Sequence, residues 1–478
     1  MHITSATSTC PIKIPYLNNA HNIAPLQIQL SEKSSSLQEQ VHNVLQEIIP
    51  SFLTQESHPC DLNVQPLTGG LSNHLLTVRY EHEHGSVAHV DTNKNYTIGR
   101  DEDISPSSTI LIRIHDSGGD VETEDQNGNK VNDSMNHQYS IVDRDYENGI
   151  SAALSSQNLA PTFFGRFENG RLEEFYENVR PLSHTEMGTS CCHDKGDSGF
   201  TAQIARQLSK LHNVQLHKSL KKENGDCCHG DIWGRVDEWI DVINDLYDPG
   251  INSQERIILK EVQEEWQWLQ REIGPISIDQ SVTKLEEQGT EVPSKECIER
   301  RAVQYCRDIV FTHMDCQSLN ILTPVNLPAC SSSHNDGEDI TPVTQEIRLI
   351  DFEYAGMNPR AADIGNTFAE FSDMNNLTPD YENEYPSESC QNIFFLNYLR
   401  VNGDAMSEEF HIMSAESREL FLAKMRDETG KHSLISHLGW ACWALIQCKT
   451  STIQFDYVGY AKIRMDGYRL FKARHWPK

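Results

Sequence analysis

The stretch from Ile309 to Phe371 constrains the fold more than any other part of the chain. It opens on the apolar run Ile309-Val-Phe-Thr, turns through His313-Met-Asp315-Cys-Gln-Ser-Leu-Asn320, and resumes with Ile321-Leu. After a polar spacer, Ile347-Arg-Leu-Ile leads into Asp351-Phe-Glu353-Tyr. Short apolar runs bounded by polar turns read as buried strands. A short turn between two such strands lets the carboxylate of Asp315 face outward while Asn320, five residues on, turns back.

That spacing, His-x-Asp-x4-Asn followed by Asp-Phe-Glu, matches a phosphotransfer site of the kinase type. Asp315 would face an acceptor hydroxyl, and Asn320 and Asp351 would hold a metal. Mg²⁺ prefers hard oxygen ligands and keeps several waters, which an amide and a carboxylate suit. His313 is expected to orient the loop by bonding backbone of the Asp351 turn, and not to transfer a proton itself.

Val310-Phe-Thr-His-Met-Asp-Cys-Gln-Ser-Leu-Asn-Ile-Leu and Leu349-Ile-Asp-Phe-Glu-Tyr-Ala-Gly-Met-Asn-Pro-Arg-Ala-Ala-Asp363-Ile-Gly-Asn366-Thr-Phe-Ala-Glu370-Phe resemble the signatures of the choline/ethanolamine kinase family. Pro66-Leu-Thr-Gly69-Gly70-Leu-Ser72-Asn73 resembles that family's phosphate loop, and Trp440-x-x-Trp443 with Ser451 to Tyr460 its C-terminal part. One departure is Met314, where the family usually has Asn. The resemblance runs from about Leu62 to Phe471, interrupted by insertions. It implies an α+β, protein-kinase-like two-lobed fold: a small antiparallel β lobe, a large helical lobe, and ATP with Mg²⁺ in the cleft. It leaves room for a homodimer.

The chain carries 40 Lys and Arg against 70 Asp and Glu, a formal charge of −30. Such a surface repels nucleic acid and anionic lipid and draws in small cations. Thirteen Cys, an odd number without a regular framework, suggest reduced thiols in a cytoplasmic protein. Cys191-Cys192-His193 and Cys227-Cys228-His229 lack the residue gaps of structural zinc sites. Met1 to Pro15 has no apolar secretory core, and no run reaches about 18 apolar residues, so no membrane span is expected.

In chain order, residues 1–60 read as a polar, partly disordered segment and a packing helix over Leu37–Leu53, ended or kinked by Pro50. Residues 61–176 read as the nucleotide-binding lobe. Two glycines at Gly69 and Gly70 let backbone N–H groups approach phosphate, with Ser72 and Asn73 beside them. Polar inserts at 81–108 and 116–138 flank the strand Thr109–His115, in which alternation sets Arg113 opposite Ile110, Ile112 and Ile114. A buried Arg needs a partner or a ligand. The resemblance makes Arg113 a phosphate ligand and Glu147, on a helix over Ile141–Ser156, its acidic partner. The Asn169-Gly170 turn makes a hairpin, and Glu174 lies in what the resemblance makes the adenine-binding hinge.

Residues 177–478 read as the catalytic and substrate lobe. Helices are expected at Phe200–Val214, Trp233–Leu246, Gln254–Glu272, Ser389–Val401, Ala415–Asp427, His432–Thr450 and from Tyr457, with polar inserts at 275–298 and 324–346. Clustered rings around Trp440, Trp443 and Tyr460 are either core or a wall that attracts an ammonium group.

The resemblance thus implies ATP-dependent phosphorylation of an amino alcohol. Gly170-Arg-Leu-Glu-Glu-Phe and Asp315-Cys-Gln look more like choline kinases. Glu370-Phe-Ser, Asp380-Tyr381 with Tyr385-Pro386, and Ser451 to Tyr460 look more like ethanolamine kinases. A quaternary ammonium has no N–H donors and wants enclosing ring faces, whereas a primary ammonium wants carboxylates or carbonyls. The polar run Ser372-Asp373-Met374-Asn375-Asn376 favours ethanolamine, with Glu353, Glu370 and Asp373 near the substrate and Trp440, Trp443 and Tyr460 as the wall. The alternatives are a choline kinase, another small-molecule kinase such as an aminoglycoside phosphotransferase, or a non-catalytic binding protein of the same fold. A protein kinase fits less well, since Asp351-Phe-Glu lacks the Gly and no Ala-Pro-Glu follows.

Overall fold

The computed structural model describes residues 23–30, 34–53, 58–67, 73–80, 109–115, 123–124, 130–131, 141–188, 199–216, 231–248, 250, 253–274, 294–325, 346–374, 377–451 and 453–477. Gly69, Gly70 and Ser72, both Cys-Cys-His triplets and most of the polar inserts lie outside the described residues. The chain divides into two compact units, Met1–Gly119 with Asn148–Glu177, and Asp120–Glu147 with Asn178–Lys478.

The first unit is a six-stranded sheet of β1 (Ile23–Ala24), β2 (Leu62–Leu67), β3 (Asn73–Tyr80), β4 (Ile110–His115), β7 (Phe163–Phe167) and β8 (Gly170–Glu174), ordered β1-β7-β8-β4-β3-β2. Every pair is antiparallel except β1 with β7. Strand β1 comes from the stretch expected to be polar and partly disordered. Ile28, 2% exposed, is tied there by paired hydrogen bonds with the Asn169 side chain at 3.0 and 2.9 Å. Helix α1 (Ser34–Ile48) puts Val41, Val44 and Leu45 into one core with Ile110, Ile112 and Ile114 of β4, and its helical geometry stops before Pro50, which opens a 3₁₀ turn. Between β4 and β7, α2 (Arg144–Ser155) runs from the second unit's sequence into the first.

The second unit is mainly helical. Within the expected insert at 116–138, β5 (Thr123–Glu124) and β6 (Lys130–Val131) form a small ribbon. After it come β9 (Val179–Pro181), α3 (His184–Met187), α4 (Phe200–His212), α5 (Ile232–Leu246), α6 (Gln254–Ile273) and α7 (Lys295–Arg307). Helix α7 begins inside the stretch expected to be an insert, because Ser294 accepts the Cys297 N–H as its N-cap. The active-site strands follow: β10 (Ile309–Thr312), β11 (Ile321–Pro324), β12 (Arg348–Leu349) and β13 (Gly356–Pro359). The unit closes with α8 (Arg360–Ala369), α9 (Glu388–Asn402), α10 (Ala405–Ile412), α11 (Ala415–Thr450) and α12 (Tyr457–His475). Apolar residues of α5, α6, α11 and α12 make one core that also takes in Met314 and Tyr354.

Helix α11 runs unbroken for 36 residues, where the sequence suggests a break after Asp427. Gly430, the apparent breaker, is buried against His475 of α12, whose imidazole occupies the space a Cβ would need. The glycine serves helix packing and leaves the helix intact. Among the described residues no helix is long and apolar enough to cross a membrane.

Candidate active site

Two ladders hold the catalytic turns side by side. β10 pairs antiparallel with β13, Thr312 opposite Gly356, and β11 pairs antiparallel with β12, Ile321 opposite Leu349. The turns between them contain two non-glycine residues with left-handed backbone, Met314 at φ 61° and Asp351 at φ 66°. Such a conformation costs about 1–2 kcal/mol for an L-residue and persists only where neighbours hold it. Asp363 of α8 does this for Met314: Oδ1 accepts the Met314 N–H at 2.7 Å and Oδ2 the His313 N–H at 2.9 Å.

His313 is fully buried. Its Nδ1 accepts the Asp315 N–H at 3.3 Å, which leaves Nε2 to donate to the Ile350 carbonyl at 3.0 Å. Burial lowers the imidazole's pKa and keeps it neutral. Its geometry is that of a spacer locking the 313 turn to the 351 turn.

Asp315 is 8% exposed. Asn320 donates from Nδ2 to both its backbone oxygen, at 3.0 Å, and its Oδ2, at 2.8 Å, so the carboxylate is aimed. Burial, then the charges of Glu370, Asp351 and Glu353, push its pKa well above the ordinary carboxylate value, with Arg464 opposing. A carboxyl raised in this way is a proton acceptor matched to a hydroxyl.

Ligand oxygens of Glu147, Asp351 and Glu353 lie within 4.8 Å of one another. Arg144 Nη1 sits against two of them, 2.7 Å from Glu147 Oε2 and 3.2 Å from Glu353 Oε2. A cation of the protein's own therefore stands among these acids. Three hard carboxylates around one point fit Mg²⁺. Of this set the sequence singles out Asp351 as a metal ligand, and it misses Arg144.

A connected group of rings and charges lies next in the same unit. Trp440 packs edge-on to Tyr354 and Trp443, and Trp443 to Tyr460. Trp443 Nε1 donates to the Tyr354 hydroxyl at 2.9 Å, and Trp440 Nε1 to Asn366 Oδ1 at 2.9 Å. Glu370, which the sequence turns toward an ammonium, holds the guanidinium of Arg464. Arg464 also donates from Nε to Tyr460 Oη at 3.0 Å and lies over the rings of Tyr460 and Trp440, 5.0 and 5.9 Å from their centroids. Asp373 belongs to another cluster, with Oδ2 3.4 Å from His184 Nδ1. Tyr354, Asn366 and Arg464 are additions to the residues singled out from sequence. Arg464 was legible in principle, being one helical turn beyond Tyr460.

In the first unit, alternation along β4 sets Arg113 on the face opposite Ile110, Ile112 and Ile114, which belong to the sheet's hydrophobic core. Its Nε is 3.3 Å from Glu173 Oε1, and Arg171 Nε is 2.9 Å from Glu173 Oε2. All three side chains are buried. The Glu174 carboxylate caps Thr162, accepting its N–H at 3.1 Å and its hydroxyl at 2.8 Å. Asn73 opens β3, with its backbone opposite His115.

A β-sheet unit and a larger helical unit that carries an aimed aspartate and an acidic cluster define the class: this is a protein-kinase-like fold. It overlays the choline kinase of Cryptosporidium parvum with a TM-score of 0.56 at 21% identity, covering 91% of this chain and 95% of that one. The Plasmodium vivax ethanolamine kinase gives 0.55 at 19% identity, covering 94% and 99%. Residues 64–469 match the choline/ethanolamine kinase family, and the chain belongs to it. Among curated relatives, a probable choline kinase of Arabidopsis thaliana is 25% identical over 421 residues, covering 86% of this chain and 87% of that protein. The mouse protein named ethanolamine kinase 1 is 26% identical over 329 residues, covering 69% and 72%.

Proposed function

We propose that the protein transfers the γ-phosphoryl group of ATP to the hydroxyl of ethanolamine, giving phosphoethanolamine and ADP. Supporting the kinase chemistry is the buried Asp315, aimed by Asn320 and raised in pKa by its acidic neighbours. In the reaction Asp315 orients the acceptor hydroxyl and takes its proton as the new O–P bond forms. Little further covalent chemistry falls to the protein, so positioning and charge neutralisation dominate. Asp351 and Asn320, with Glu147 and Glu353 beside Asp351, would hold Mg²⁺, which when bound neutralises charge on the phosphates.

Ethanolamine over choline is supported by how the rings are used. Arg464 already lies over Trp440 and Tyr460, the faces a quaternary ammonium would need. The carboxylates gathered around Asp315, rather than open ring faces, suit the three N–H donors of a primary ammonium. The deciding comparison is kcat/KM for ethanolamine and choline at equal ATP, with ethanolamine expected to lead. A choline value equal to or above it reverses the preference and leaves the kinase reading in place.

A further inference from the structure

A buried chain of hydrogen bonds reaches the catalytic turn from α4 and α9, two helices that hold none of the site residues named above. Asp363 Oδ2, already bonded to the His313 N–H, is also 2.9 Å from Nε2 of His212 at the end of α4. His212 Nδ1 lies 2.6 Å from the hydroxyl of Tyr398 in α9, and Tyr398 receives Arg360 Nη1 at 2.6 Å. Arg360 is held in turn by the Tyr305 carbonyl, at 2.9 Å from its Nε, and stacks on the Tyr305 ring at 3.9 Å.

The chemistry fixes every proton in this chain. A carboxylate can only accept, so His212 donates from Nε2, and because burial lowers its pKa and keeps the ring neutral, Nδ1 is left as an acceptor. Tyr398 must then donate its O–H to Nδ1, and its oxygen accepts from Arg360, which can only donate. All the donors point one way, from Arg360 through Tyr398 and His212 to Asp363, and aligned bonds in a dry interior polarise one another. The side chains of His212 and Asp363 are completely buried and Tyr398 is 0% exposed, so no water substitutes for a missing link.

We propose that His212, oriented by Tyr398, is a positioning residue for phosphoryl transfer: it holds the Asp363 carboxylate at the angle that keeps Met314 left-handed and places Asp315. Asp363 has two oxygens and must serve two adjacent N–H groups at once. Without a third donor to fix its rotation, it can satisfy one N–H and release the other. Asp315 follows Met314 directly, so a relaxed turn moves the carboxylate that meets the hydroxyl, and small misplacements of a reacting group are expensive in rate.

This inference rests on the kinase reading, and one set of measurements separates the two. Wild-type protein is assayed first with ethanolamine and with choline, then His212→Leu, His212→Gln and Tyr398→Phe. His212→Leu should lower kcat on the order of 10²-fold while KM for the acceptor and Kd for Mg²⁺–ATP stay within about two-fold. His212→Gln keeps a donor toward Asp363 and an acceptor toward Tyr398, and should recover kcat to within about five-fold of wild type. Tyr398→Phe, which frees the imidazole tautomer and takes one acceptor from Arg360 while leaving the Arg360 bond to the Tyr305 carbonyl, should give an intermediate loss and covers the case in which the leucine variant does not fold. A folded His212→Leu with wild-type kcat overturns the inference, as does a loss spread equally over kcat and both binding constants, or Tyr398→Phe at full rate. Wild-type protein that turns over neither amine overturns the kinase reading itself, and this inference with it.

Discussion

Asp315 and Asp351 are both carboxylates at strand ends, yet their surroundings assign them different work. Asp315 is buried, takes two hydrogen bonds from Asn320 and is pushed toward a higher pKa. Asp315→Asn should therefore lower kcat by on the order of 10²-fold or more while Mg²⁺–ATP still binds, because the base is lost and the acidic cluster is intact. Wild-type turnover in that variant would show the base to lie elsewhere. Asp351 shares its oxygens' neighbourhood with Glu147 and Glu353. Asp351→Ala should abolish the Mg²⁺ dependence of nucleotide binding, measured as Kd with and without the metal. Equal tightening by Mg²⁺ in variant and wild type would assign the metal to other residues.

At the scale of elements, the site depends on how closely α8 approaches α11. A Cβ at Gly365 would stand 2.8 Å from the Thr429 carbonyl and 2.8 Å from the Ser433 amide, so only glycine permits this crossing. The same contact lets Asn366, the next residue, accept from Ser436 at 2.6 Å and from the Trp440 indole. Gly365→Ala should cost about 1–3 kcal/mol of stability by overpacking. It should also raise the acceptor KM, since Trp440 moves with α11. Urea denaturation and steady-state kinetics check the two halves, and an unchanged denaturation midpoint would mean the helices part without strain.

At the scale of the molecule, the described residues include several histidines kept neutral by burial. His432 is pushed down to about 4, and His212, His313 and His437 are lowered as well. An unfolded histidine titrates near 6.5, so between that pH and about 4 the unfolded chain binds more protons than the folded one. Their contribution is fully present above about pH 6.5 and is lost as pH falls through that window. For His432 alone the loss is about 3 kcal/mol. Unfolding free energy should therefore drop steeply from pH 7.5 to 5, and His432→Gln should flatten the slope by about one proton. A pH-independent midpoint over that range would contradict the buried neutral state.

What the sequence determined by itself was whatever a short span encodes. The His-x-Asp-x4-Asn turn, the Asp-Phe-Glu strand end and most helices were legible because each lies within one stretch of local periodicity. Charge partners were not legible. Glu370 meets Arg464 across 94 residues, His212 meets Asp363 across 151, and Arg144 meets Glu353 across 209. A buried charge must find a counter-charge, and that requirement can be read from one residue alone, as it was for Arg113. Which counter-charge satisfies it depends on which helices and strands pack together. Spacing along the chain carries no record of that choice, so only the tertiary structure decided that Glu370 holds an arginine and that His212 reaches the catalytic turn.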